Sequence, residues 1–406
     1  MEKKEKFLKF PKDFLWGAST SAYQIEGGTV NDWSQWETSP KRLADLKKRG
    51  LNQRDFICGQ ACDSFNRWKE DVELVKELNL NSYRLGLEWA RLEPREGEFD
   101  EEAIKYYRRL LTSLKKSGIK TVVTLWHWTN PTWIADIGGW ANKKTVIYYD
   151  LYVSRVCREL GDLVDYWLTL NEPTIHLANG YLKGNFPPNK RNIFSAFKVF
   201  KNLIKAHNTA YRLIHTQIPM AKVGVTCLYN DFTPARRWFL LEVFLAWLFD
   251  FFNNRLFLGG IKKNLDFIGL DYYFHDRIIW HPPFIKNLNK ETTDLGWEIY
   301  QIGMYDVLKK LQRYRQPIIV MENGLADASD AKREKFIVDH LRQIHRAISD
   351  GVPVKGYFHW ALIDNFEWAY GWAPKFGLVA VDRETFERQV KPSGYAYARI
   401  CRDNEI

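Results

Sequence analysis

The chain has 406 residues, of which 46% are hydrophobic and 27% charged, a composition that excludes a disordered, collagen-like or fibrous protein. A chain of that length buries about three-quarters of its surface on folding, enough for one large core. Lys and Arg exceed Asp and Glu by 59 to 49, giving +10, but the basic groups Lys3-Lys4, Lys47-Lys48-Arg49, Lys143-Lys144 and Lys262-Lys263 are scattered among acids, which reads as solvated surface and argues against a nucleic-acid partner.

The aromatic content is high, with 17 Trp, 20 Tyr and 25 Phe, and aromatic faces suit the apolar faces of sugars, bases or cations. Cysteines at 58, 62, 157, 227 and 401 are odd in number and lack CxxC or zinc spacing. Reduced thiols and a cytoplasmic location are therefore expected. The opening MEKKEKFLKFPKDF is charged and has no apolar core of a secretory signal.

In chain order, short runs rich in β-branched and aromatic residues occur at 14–18, 82–87, 121–125, 167–170, 223–226, 267–270, 318–321 and 354–358. Between them, segments such as 65–78, 102–116 and 332–348 carry apolar residues at helical spacing. Eight strand and helix alternations with near-continuous apolar strands predict a parallel (β/α)8 TIM barrel, favoured over an open doubly wound sheet. No linker divides the chain, so residues 1–406 read as one domain. The most apolar stretch, 238–254, contains Glu242 and Asp250 and is too short to span a membrane. It reads as a buried or half-buried helix; the minority alternative is an interfacial membrane helix, because Arg236, Arg237 and Arg255 flank it.

In such a barrel the chemistry sits where strands end. The fourth run ends in Thr169-Leu170-Asn171-Glu172-Pro173 and the seventh in Met321-Glu322-Asn323-Gly324. Each sets a carboxylate beside an amide just after a buried strand. Two carboxylates facing each other are what glycoside hydrolysis requires, one protonated and one ionised. Taken singly, either could be a loop carboxylate capping a helix or pairing with arginine. Arg84, ending the second run, could hold a nearby carboxylate ionised, or form a structural ion pair.

With these motifs in place, the sequence resembles glycoside hydrolase family 1, the β-glucosidase/β-galactosidase group of retaining enzymes. The resemblance runs in register from Phe10-Pro11-Lys12-Asp13-Phe14-Leu15-Trp16-Gly17-Ala18 through Ser19-Thr20-Ser21-Ala22-Tyr23-Gln24-Ile25-Glu26-Gly27 to Lys375-Phe376-Gly377-Leu378. It implies a (β/α)8 barrel and no metal or organic cofactor. By position, the family's acid/base falls on Glu172 and its nucleophile on Glu322; a glutamate rather than a glutamine at the former implies O-glycosides. The terminal-sugar pocket maps to Gln24, His127, Asn171, Glu367 and Trp368, with Trp360 as a stacking floor and Tyr273 as the tyrosine that bonds the nucleophile. Alone, His127 would be a structural histidine and Trp360 a core aromatic; the joint pattern reverses that reading.

Relatives acting on 6-phosphorylated sugars bring a lysine and a tyrosine where Pro374 and Phe376 stand, and lack a glutamate like Glu367, so neutral sugars are implied. The sequence departs from the family in three places: His127-Trp128-Thr129-Asn130-Pro131 replaces His-Trp-Asp-Leu-Pro, Trp360-Ala361 replaces Trp-Ser, and Asp271-Tyr272-Tyr273 replaces Asn-Tyr-Tyr. The last adds a negative charge near the pocket. The expected partner is a small-molecule β-glycoside or oligosaccharide, with water or an alcohol as acceptor. The rival reading is a catalytically silent sugar-binding or membrane-associated barrel.

Overall fold

In the computed structural model, which describes residues 7–406, the eight expected runs become β1 (Leu15–Ser19), β2 (Ser82–Gly86), β3 (Lys120–Thr124), β4 (Tyr166–Asn171), β5 (Val223–Leu228), β6 (Ile268–Asp271), β7 (Ile318–Asn323) and β8 (Val354–Trp360). They pair in parallel with their sequence neighbours, and β1 pairs with β8, so the sheet closes on itself. Strands covered on both faces are near-continuously apolar, which is why the runs lack regular polar alternation. Leu15, Val122, Leu168, Phe267, Ile319, Met321 and Phe358 form their own buried cluster, so the barrel is a packed core and not a pore. Gly17 makes room for it: a Cβ there would lie 2.3 Å from the ring of Phe358, its register partner on β8.

One long helix follows each strand: α1 (Ser64–Glu77), α2 (Glu101–Lys116), α3 (Lys144–Leu160), α4 (Ile193–Gln217), α5 (Leu240–Asp250), α6 (Ile302–Leu311), α7 (Arg333–Ser349) and α8 (Pro392–Asp403). The start of α2 shows how the sequence sets a boundary. The Asp100 carboxylate accepts from the free amides of Glu102 and Ala103 at 2.8 and 3.0 Å, the usual role of an N-cap acid. The helix then buries Ile104, Tyr107, Leu111 and Leu114 at helical spacing. All five cysteines are buried and unpaired.

The segment 238–254 is a half-buried helix, but its two acids lie on the buried face. It contains α5, but Glu242, Ala246 and Asp250 are the residues α5 buries, whereas Trp238, Leu240 and Phe244 are 76%, 80% and 53% exposed. Charge pairing is the reason: Arg236 clamps Glu242 at 2.6 Å and Arg255 pairs with Asp250, so the acids turn inward and the apolar row faces out. Among the described residues no helix is long and apolar enough to cross a membrane.

Because that row is exposed, Leu240→Ser and Phe244→Ser are expected to change unfolding free energy by less than about 0.5 kcal/mol. Denaturant unfolding checks this; a loss of several kcal/mol would mean the row is core.

Candidate active site

The chemistry-bearing residues collect at the C-terminal rim because of how the strands stop. Glu172 directly follows β4 and has φ 38° and ψ 57°, in the left-handed region. The proline after it disfavours right-handed helix at Glu172, so the chain turns sharply there before the short helix Pro173–Leu177 begins. Glu322 lies within β7, and the chain leaves that strand through Gly324, where a Cβ would sit 2.0 Å from the Trp360 carbonyl oxygen. That approach requires glycine.

Glu172, Glu322, His127, Tyr273, Trp360, Glu367, Trp368 and Phe376 all line one cavity of about 1670 Å³. Carboxylate oxygens of Glu172, Glu322 and Asp271 lie within 4.8 Å of one another, Glu172 and Glu322 at the floor of the cavity and Asp271 buried outside its lining. Arg84 reaches this floor from β2, fully buried. Its Nη1 donates to Glu322 Oε1 at 2.5 Å, its Nε to Thr124 Oγ1 at 3.1 Å, and its Nη2 to Asn171 Oδ1. Tyr273 donates its hydroxyl to Glu322 Oε2 at 3.0 Å. Glu322 thus has a donor on each oxygen, arranged to hold a carboxylate.

The two glutamates are treated unequally. Burial raises the Glu322 carboxyl above its ordinary value, opposed by the Arg84 charge and by the bonds from Arg84 and Tyr273. Burial pushes Glu172 well above the carboxylate range, and the charges of Asp271 and Glu322 push it further. The donors on Glu322 favour its charged form, whereas Glu172, beside two other carboxyls, is biased further toward its protonated form. Three carboxylate oxygens this close could ligate a cation, but a guanidinium already occupies Glu322 Oε1, so the arrangement suits shared protons better than a metal.

Asn171 is oriented by its neighbours. Its Oδ1 accepts from Arg84 and from the Thr226 hydroxyl at 2.7 Å, so its Nδ2 faces His127 Nε2 at 3.0 Å. Burial and the Arg84 charge hold His127 well below its ordinary value and therefore neutral, with its Nδ1 lacking a protein partner. The His127 ring stacks on Trp368 at 5.7 Å and 24°. Trp360 clusters with Ala326, Ala361 and Phe376. Glu367 Oε2 also lacks a partner, and burial with the Glu322 charge pushes its carboxyl up to about 8.

Gln24 is placed differently from a wall residue. It is fully buried outside the cavity lining, donating from Nε2 to Asn365 Oδ1 and Phe366 O at 3.0 and 2.7 Å and accepting from Ser21 Oγ at 2.5 Å. Meeting a ligand would require it to exchange partners. Sequence reasoning missed Thr226, whose hydroxyl fixes Asn171, and Trp297, which packs 6.1 Å from both Tyr273 and Phe376 on the cavity wall. Thr226 sits in an ordinary apolar strand, and Trp297 lies outside every helix and strand, so neither carried a local signal.

The sequence matches the family model described as Glycosyl hydrolase family 1 over residues 7–261 and 258–406. It is 33% identical to Beta-glucosidase A of Acetivibrio thermocellus, covering 98% of this chain and 99% of that protein. It is 30% identical to a Beta-galactosidase of Pyrococcus woesei over 93% and 94% of the two chains. The fold is similar to that of a beta-glycosidase from Pyrococcus horikoshii, with TM-score 0.89, 36% identity and coverage of 99% and 96%.

Removing Arg84 would leave the Glu322 charge buried and Asn171 Oδ1 short of a donor. Arg84→Met is expected to lose about 3–5 kcal/mol of stability, and Arg84→Lys to recover only part of it, because one ammonium cannot reproduce the fork. Equal stability of all three proteins in denaturant unfolding would refute this account.

Proposed function

We propose, given that this chain belongs to glycosyl hydrolase family 1, a retaining β-glycosidase that releases the non-reducing terminal sugar from β-glycosides through a covalent glycosyl-enzyme. The observation that carries it is the pair of glutamate oxygens within 4.8 Å on one cavity floor, of which Glu322 alone is held by both Arg84 and Tyr273. Retaining enzymes set their carboxyls about 5–5.5 Å apart, whereas inverting enzymes leave about 6.5–9.5 Å for a water.

In the first step Glu322 attacks the anomeric carbon as Glu172 gives its proton to the departing oxygen, and the glycosidic bond breaks. In the second, Glu172 removes a proton from water, the resulting hydroxyl displaces Glu322, and the sugar leaves. Arg84 and Tyr273 keep Glu322 available as an anion. Trp360 offers a flat face to the pyranose, and His127 and Glu367, each with an unpartnered polar atom, are disposed to bind its hydroxyls. The bar to a 6-phosphate rests less on charge at Glu367, pushed up to about 8, than on Pro374 and Phe376 standing where phosphate ligands would be needed. Aryl β-glucosides are the reference substrates, with β-galactosides and β-fucosides alongside.

A peripheral membrane seat is a second reading of the same chain, favoured by the exposed row on α5 with Arg236 and Arg255 beside it. Sedimentation with anionic vesicles decides it: recovery entirely in the supernatant removes the reading.

Glu322→Ala is expected to abolish turnover of a nitrophenyl β-glucoside with the fold intact; surviving activity means another nucleophile. Glu172→Ala should slow substrates with poor leaving groups most, with azide rescuing good ones, and equal losses across leaving groups would undo its role. Since turnover needs Glu322 ionised and Glu172 protonated, kcat/KM should fall as pH drops through the Glu322 value and again as it rises through that of Glu172. Because Glu322 is raised, the acid limb should lie above the ordinary glutamate value of about 4.3; a limb at or below it would contradict the assignment.

A further inference from the structure

Asp271 ends β6, beside Glu322 in the register of β6 with β7, and is fully buried. Neither of its carboxylate oxygens has a hydrogen-bond partner: Thr226 stands close enough to lower its proton affinity, but the single Thr226 hydroxyl proton goes to Asn171 Oδ1 at 2.7 Å. One of them is within 4.8 Å of a carboxylate oxygen of both Glu172 and Glu322. The family pattern has asparagine here, an amide of the same shape that carries donors and no charge. A buried carboxyl with no donor must either hold a proton or raise the proton affinity of the groups around it.

The neighbours decide between these. From β2 comes Arg84, whose guanidinium is committed to Glu322 and Asn171. From the end of β3 comes His127, neutral because burial and Arg84 hold it well below its ordinary value. On β5, Cys227 is a neutral thiol, pushed up by burial and by Asp271. Beside Asp271 itself, Tyr273 is pushed well up and stays a phenol. Glu322 on β7 and Glu367 after β8 are acids, the latter pushed up to about 8. Arg84 bonds Glu322 directly and acts on Asp271 and Glu172 only through its charge, so these two carboxyls are the ones without a charged hydrogen-bond donor.

We propose that Asp271 is a positioning residue that acts through Glu172: its carboxyl, unpartnered and within 4.8 Å, keeps the acid/base proton on Glu172 to higher pH than an amide at this place would. The proposal rests on the assignment of Glu172 as acid/base. Burial and the Glu322 charge raise Asp271 itself, opposed by Arg84 and Thr226, and burial with the Asp271 charge raises Glu172, opposed by Arg84. The two carboxyls therefore lose their protons in linked steps that belong to the pair.

The test is the pH dependence of kcat/KM for a nitrophenyl β-glucoside with the full chain. Asp271→Asn, isosteric and uncharged, is expected to move the basic limb down by about one pH unit, which is roughly a tenfold loss on the alkaline side. Asp271→Ser serves as a second uncharged variant should the amide fail to fold, and a thermal melt shows which has folded. In a Glu172→Ala background, assayed with a good leaving group, the same substitution should leave the profile where it is. A basic limb that stays within 0.3 unit (about twofold in rate) in the folded variants overturns the proposal, as does a downward shift that persists without Glu172. Neither result touches the retaining mechanism, which stands or falls on Glu322→Ala and on the leaving-group dependence of Glu172→Ala.

Discussion

A guanidinium buried beneath a set of carboxyls is the interaction on which this molecule turns. Arg84 starts on β2 and binds Glu322 on β7 and Asn171 on β4, so it spans the barrel and exists as a pair only because the sheet closes. Desolvating such a cation is costly, and excellent geometry is needed to offset it. Here every nitrogen of the guanidinium has an acceptor: Glu322, Asn171, Thr124 and the Met321 carbonyl. The return is an ionised glutamate in a place where burial alone would protonate it.

The same burial that Arg84 offsets at Glu322 goes unopposed by any donor bond at Glu172. Two glutamates of identical chemistry are biased differently, because Arg84 and Tyr273 bond one of them directly while the other takes the full push of burial and neighbouring acids, with only the Arg84 charge against it. Backbone geometry makes that difference possible. The left-handed turn at Glu172 lifts its carboxyl over the floor just after β4, whereas Glu322 remains within β7, in register with Asp271. A shift of one residue in either strand would send the side chain into the opposite face.

Much of this was legible in the sequence. The eight strands fall within two residues of their expected places, since an apolar run between helical segments has few other solutions, and the two strand-end glutamates share one cavity. Other features were not legible. Gln24 offers an amide, but Ser21 nearby and Asn365 and Phe366 more than 340 residues along the chain engage it. The apolar stretch 238–254 read as a buried or half-buried helix and is half-buried, but which face turns inward depends on ion pairs to Arg236 and Arg255, which hydrophobic periodicity does not register.

By itself, the sequence determined the alternation of strand and helix, the residue types at each strand end and the family to which the chain belongs, because these depend on local pattern and on short motifs in order. The tertiary structure decided which carboxyl keeps a proton, which amide is free and which apolar face meets solvent. Those properties depend on distance and desolvation, and both come into being only when strands far apart in the chain close around a common floor.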